Sequence, residues 1–221
     1  MADQKITDLT ALVSVDGGDL LVIVDDPGGT PITKKVTVTD LLAAASGGGG
    51  LVLLEQHTAS NSASLDFTSG ITSAYDHYVL KFVGILNATN TQDLQVRFST
   101  DGGSTWIATG IFYYSWLYSN NTGGNGVAST GGGAANQFAL LNSLDNGDNG
   151  GANGSLELFN PLGGQARKAV TWTITAPLAA DHRVATGGGV AVTTSAINAI
   201  QVRFASGNIT SGTCRLYGYE K

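Results

Sequence analysis

Apolar and polar residues alternate differently on the two sides of residue 46. Before it, Leu20-Leu21-Val22-Ile23-Val24 is a continuous apolar run that reads as a buried strand and stops at Asp25-Asp26-Pro27-Gly28-Gly29. Lys35-Val36-Thr37-Val38 then alternates with period two, and Thr39-Asp40 caps a short Leu41-Leu42-Ala43-Ala44-Ala45 helix. The pattern predicts a small ββα module over residues 1–45. After it, Ser46-Gly47-Gly48-Gly49-Gly50 has the composition of a flexible linker. From residue 51 onward the period-two signal dominates. Leu80, Phe82 and Leu86 alternate against Val79, Lys81 and Val83, and the signal recurs in Leu94–Phe98, Val170–Ile174, Ile200–Phe204 and Cys214–Leu216. No stretch of 51–221 keeps a helical period over three turns. The expected fold is therefore all-β, an antiparallel β-sandwich (jelly-roll-like) over 51–221, preceded by the ββα module.

Two strands and one turn of helix bury little surface, and an isolated hairpin is marginal in water. The module is thus expected to become well ordered against a partner, docking through Leu20, Leu21, Val22, Ile23, Val24, Val36, Val38, Leu41 and Leu42. In the larger domain, LQVRFS (94–99) and IQVRFA (200–205) are near copies. They mark either equivalent strands of two halves or two strands that share one pattern. Residues 119–154 hold ten glycines with only Phe138-Ala139-Leu140-Leu141 to anchor them, and read as a long loop and contact surface.

Ser99-Thr100-Asp101-Gly102-Gly103-Ser104-Thr105-Trp106 matches the Asp-box pattern S-x-D-x-G-x-T-W. Ser99, Asp101, Gly103, Thr105 and Trp106 are expected to build a structural hairpin. Sialidases repeat this box around a propeller, whereas here it stands once, and Arg97, Arg203 and Arg215 alternate with apolar neighbours as solvent-facing strand residues do. In residues 110–118, Phe112, Tyr114, Trp116 and Tyr118 share one strand face, with Ile111, Tyr113 and Leu117 on the other. The first face suits an oligomer interface, or a platform on which sugar rings stack.

Asp145 and Asp148 lie in an oxygen-rich run that fails the calcium-loop register, because Gly147 sits where a ligand belongs. His57, His77 and His182 are isolated, and Cys214 reads as a small buried hydrophobe. Phosphate-loop, dinucleotide and serine-hydrolase signatures are missing. No catalytic residue, cofactor or metal is assigned, and the expectation is a non-enzymatic protein.

Composition narrows the classes further. Charged residues are only 13% of the chain, and glycine stands at 31 of 221. The net charge is −6, with seven acids against three lysines in residues 1–50, so nothing forms a basic footprint for nucleic acid or anionic lipid. One cysteine forms no internal disulfide. Apolar runs fall far short of the ~20 residues that span a bilayer, and the start lacks a signal-peptide core, which predicts folding in a cytoplasm without membrane insertion.

KITDLTAL…DLLVIVDD…TKKVTVTDLL resembles modules at the start of tailed-bacteriophage fibre and virion structural proteins. LLEQHTASNSASLDFTSGITSAYDHYVLKF and VRFASGNITSGTCRLYGYEK resemble the opening and closing strands of phage appendage β-domains. The resemblance covers about half the chain and leaves 107–199 without a counterpart. It implies a location on the virion surface after folding in the bacterial host, often as a homotrimer, with other virion proteins bound through residues 1–45. It implies no catalytic residue. A carbohydrate-binding adhesin contacting host cell-surface glycan, and a tailspike-like glycan-degrading enzyme, are the alternatives.

Overall fold

The computed structural model describes residues 14–25, 28–30, 32–45, 50–121, 124–147, 151–177 and 181–219. It divides into two compact units, one ending at Gly50 and one starting at Leu51. In the first, β1 (Leu20–Asp25) pairs antiparallel with β2 (Ile32–Thr37), Leu20 opposite Thr37, and α1 (Val38–Ala45) follows directly. The helix starts earlier than its sequence pattern suggests. Thr37, not Thr39, is the cap: its Oγ1 accepts the Asp40 N–H at 3.0 Å and donates to Asp40 Oδ2 at 2.6 Å. Thr37 and Asp40 have the spacing of a capping box, but Asp40 accepts the Thr37 hydroxyl rather than its backbone N–H, so the pair supplies the side-chain half of that motif. Val38 accordingly belongs to the helix rather than to the strand. The linker residues 46–49 lie outside the described residues.

The second unit holds β3 (Leu51–Thr58), β4 (Leu65–Phe67), β5 (His77–Asn87), β6 (Gln92–Ser99), β7 (Ile111–Asn121), β8 (Gly124–Ala135), β9 (Phe138–Leu144), β10 (Ala152–Phe159), β11 (Arg167–Pro177), β12 (Asp181–Val192), β13 (Ala199–Phe204) and β14 (Ile209–Tyr219). They form an eight-stranded sheet, β3-β14-β5-β10-β11-β12-β7-β8, and a four-stranded sheet, β4-β13-β6-β9, antiparallel throughout. Set aside β7, β8, β11 and β12, and number the remaining eight strands in chain order. The sheets then read 1-8-3-6 and 2-7-4-5, the double Greek-key order of a jelly roll. Two hairpins are inserted into it, β7-β8 between the fourth and fifth strands and β11-β12 between the sixth and seventh. Both extend the long sheet beyond β10.

The alternating residues face inward as their period requires. Tyr78, Leu80 and Phe82 from β5, Leu94, Val96 and Phe98 from β6, and Ile200, Val202 and Phe204 from β13 are buried in one core with Leu156, Leu158, Cys214 and Leu216. Each large side chain removed from water in this way contributes on the order of 1.5–3 kcal/mol. Phe138 of β9 ties the inserted hairpins to this core, packing on Phe98 at 5.5 Å and on Trp172 of β11 at 5.9 Å. The Trp172 indole N–H donates to the Leu140 carbonyl at 3.0 Å.

Two sequence expectations fail here for identifiable reasons. Ile85, not Leu86, continues the inward row of β5, because Gly84 takes φ +63° and shifts the register on both sides of the strand. Gly151 and Gly212 come so close to Gly84 that a Cβ on either would lie within 2.7 Å of its backbone. Residues 119–154 are no single long loop either. Their described parts run through the end of β7, all of β8 and β9, and the start of β10. Glycine-rich β8 looks loop-like, yet a Cβ at Gly132 would meet the Tyr113 ring at 2.5 Å, so its glycines let that strand lie close against aromatic β7.

Candidate binding surface on the outer face of the long sheet

Cross-strand pairing lines up outward side chains from distant parts of the chain. Tyr114 stands opposite Gly188, Gly188 opposite Thr171, and Thr171 opposite Glu157. One register step away, Thr186 stands opposite Thr173, Thr173 opposite Ser155, and Ser155 opposite Lys81. Ser155, Glu157, Thr171, Thr173 and Thr186, together with Trp172 and Gly187, line a depression of about 240 Å³. The Thr173 and Thr186 hydroxyls lie 3.2 Å apart. Gly188 carries no side chain, so Tyr114 and Thr171 flank a gap two strand spacings wide, ~10 Å.

One side of this depression is fixed by stacked rings. The His77 ring lies between Phe159, with centroids 4.6 Å apart and planes at 22°, and Tyr219, at 4.4 Å and 17°. Its Nε2 sits 3.1 Å from Glu157 Oε2, holding the one carboxylate that lines the depression. Hydroxyls, a single carboxylate and an exposed aromatic ring suit a neutral polyhydroxylated ligand, which hydrogen-bonds at its edges and stacks on its apolar face. Of the four aromatic residues assigned to interface or glycan contact, Phe112 (44% exposed) and Tyr114 (52%) point outward, whereas Ile111 and Tyr113 turn to the core. The side chains of Trp116 and Tyr118 lie outside the described residues.

The Asp-box residues form a closed turn at the end of β6. Ser99 Oγ accepts the Asp101 and Gly103 N–H groups at 3.1 and 3.0 Å and donates to Asp101 Oδ1 at 2.6 Å. Asp101 accepts the Thr105 N–H at 2.8 Å and its hydroxyl at 2.6 Å. Hydrogen bonds from Ser99 and Thr105 lower the Asp101 pKa to about 2. Trp106 is half-buried beside Gly103, whose φ of +89° suits glycine. Each of these Asp101 bonds closes the turn on itself, which is the structural role expected of the box.

The other candidates are dispersed. Glu55 accepts three consecutive backbone N–H groups, Thr68, Ser69 and Gly70, and His57 lies 2.8 Å away. Burial raises its pKa, but these hydrogen bonds outweigh burial and leave it lowered. Cys214 is fully buried, and burial pushes its thiol well above the usual range. Asp145 accepts the Gly147 N–H at 3.3 Å, and Asp148 lies outside the described residues. No cluster of three or more metal-ligating side chains occurs among the described residues, and no described helix is long and apolar enough to cross a membrane. Arg97 and Arg203 share the four-stranded sheet, whereas Arg215 belongs to the long one, so the three do not converge. Arg97, Arg203 and Arg215 are each half-buried rather than fully solvated as their strand positions suggest.

Of the residues expected from sequence to dock, Leu20, Leu21, Val22, Ile23, Leu41 and Leu42 are exposed, together with Ile32, while Val36 and Val38 are half-buried. The side chain of Val24 lies outside the described residues. The hydroxyl-lined depression escapes sequence reading, because its walls come from three strands whose pairing no local motif encodes. The one signal is the outward threonine series Thr171, Thr173, Thr175 in β11. No family model, curated protein or solved structure matches this chain.

Proposed function

We propose that this chain is a non-enzymatic bacteriophage virion structural protein of the head-fibre, decoration or tail-fibre type. Residues 1–45 dock to other virion proteins, and the jelly roll is displayed on the particle surface, as a homotrimer, after folding in the host cytoplasm. The observation that carries this reading is the surface of the N-terminal unit. Seven of its aliphatic side chains, Leu20, Leu21, Val22, Ile23, Ile32, Leu41 and Leu42, are 40 to 76% exposed within a hairpin and an eight-residue helix. Apolar surface in that proportion, on so small a unit, is what a docking element presents to a partner that will cover it. The resemblance of the same segment to phage modules supplies the kind of partner.

The test is deletion of residues 1–45. The truncated protein is expected to keep its β-rich circular dichroism spectrum and to be absent from purified particles. Incorporation at the wild-type level would overturn the reading.

The depression beside Tyr114 favours a second role, compatible with the first, in which the displayed domain contacts neutral host glycan. Tyr114→Ala is expected to weaken binding on a glycan array at least about tenfold, as loss of a stacking ring does. Because the ring is half-exposed, the melting temperature should hold. Unchanged glycan binding, or no glycan bound by the wild type, would remove this role.

A further inference from the structure

The two near-copied sequence segments are neighbours in space. β6 and β13 pair antiparallel with Phe98 opposite Ile200, Val96 opposite Val202 and Leu94 opposite Phe204. The repeated Gln-Val-Arg triplets therefore cross about a local two-fold axis at Val96–Val202. Arg97 is set against Gln201 and Arg203 against Gln95 on the outer face. Arg97 and Arg203 are diagonal neighbours, a spacing of ~7–8 Å that long side chains bridge.

The symmetry is broken by what lies beyond each strand. Beyond β6, Gln95 faces Ala139 and keeps its carbonyl for Arg203 Nε, 3.2 Å away. Beyond β13, Gln201 faces Asp66 and donates its amide to Asp66 Oδ1 at 3.0 Å. Gln201 spends only its amide N–H on Asp66, yet no hydrogen bond from Arg97 Nε to Gln201 matches the Arg203–Gln95 bond. Arg97 Nε is buried with no hydrogen-bond partner among the described residues. A buried donor on a charged group left in this state is costly, and the cost is removed when a partner arrives. Burial and then the like charge of Arg203 also lower the proton affinity of Arg97, as expected for a cation without a counter-ion. Among the described residues neither arginine is ion-paired. Asp66 is engaged by Gln201, and Asp93 accepts the Ser143 N–H at 2.8 Å.

We infer that Arg97 and Arg203 form a binding site for a carboxylate on the outer face of the four-stranded sheet. A planar carboxylate offers two oxygens, one for the unpartnered Arg97 Nε–H and one for the Arg203 guanidinium, whose Nε is already held by Gln95. Asp66 and Asp93 share this face, so the site suits the single charge of a carboxylate better than a phosphate dianion. Two sources offer that chemistry, an acidic sugar and an acidic side chain of another protein. The inference is independent of the docking role proposed for residues 1–45.

The experiment is an NMR titration of the full-length chain that follows the Arg97 Nε–H resonance. The probes are glucuronate against glucose, and N-acetyl-glutamate methylamide against N-acetyl-glutamine methylamide. A saturable shift with glucuronate alone identifies an acidic sugar, and one with the glutamate derivative alone identifies an acidic side chain. A shift with both establishes the carboxylate as the determinant. In each case the matched neutral probe is expected to leave the resonance in place, and added salt to weaken binding. Arg203→Gln, read at Arg97, is expected to weaken the responding probe about tenfold or more. Arg97→Met, read at Arg203, should do the same without lowering the melting temperature, since it removes an unpartnered buried charge. Should Arg97→Met not fold, Arg97→Lys keeps the charge, loses the fork and is expected to bind more weakly. No response to either carboxylate, equal response to the neutral probes, or binding unchanged in Arg203→Gln would overturn the inference.

Discussion

The Asp101 carboxylate shows how far one side chain's role follows from its immediate neighbours. Its partners Ser99 and Thr105 all lie within four residues of it, so the turn is encoded in a single octapeptide and is legible there. Their hydrogen bonds stabilise the ionised form in the folded chain, where the pKa is about 2 against 3.8 normally. A group depressed in this way contributes stability that is fully present above its unfolded pKa and is lost as the pH falls through its folded one. Between pH ~4 and ~2 the wild type should therefore lose stability faster than Asp101→Asn. Urea midpoints at pH 6, 4 and 2.5 measure this: the gap between the two proteins should be widest at pH 6 and narrow steadily below pH 4. A gap independent of pH would mean that the ionised form is not what the turn holds. The Arg97 site is the opposite case. Its surroundings come from Gln201 and Arg203 across the β6–β13 pairing, more than 100 residues away in sequence, and no window of sequence contains that juxtaposition.

At the scale of elements, legibility follows side-chain alternation. β6, β11 and β13 are plain in the sequence, because each sets bulky apolar residues against polar ones with period two, and each buries that apolar row. β8 is hidden because GNGVASTGGGAA has almost no apolar row to detect. What makes it a strand is the backbone of β7, which pairs with it from Asn121–Gly124 to Ile111–Ala135. The β5 bulge is hidden for a related reason, since Gly84 matters through the approach of Gly151 and Gly212 from its two neighbours. The helix start moves from Thr39 to Thr37 because either threonine can cap, and only the pairing of β2 with β1 through Thr37 places the end of the strand there. The two-sheet architecture could be anticipated from the strands. The insertion of β7-β8 and β11-β12 as an extension of one sheet could not, because strand order is a property of pairing and not of pattern.

For the whole molecule, the two units differ sharply in what can stabilise them. The larger one closes twelve strands over a continuous core, whereas the smaller one rests on a hairpin of two six-residue strands and an eight-residue helix. Two-stranded hairpins are marginal alone, and helices shorter than about 12 residues likewise. Amide hydrogen exchange of the free chain is therefore expected to be at least about a hundredfold faster in β1, β2 and α1 than in β5, β6 and β13. Mass spectrometry of peptides from residues 20–45 and 77–99 measures the ratio. Protection of the first group should rise once a partner covers its exposed leucines, so the same peptides followed with and without virion proteins test the proposed docking. Equal protection of both groups in the free chain would mean that the N-terminal unit is already stabilised without a partner. Its exposed aliphatic side chains would then no longer argue for a surface held in reserve for one.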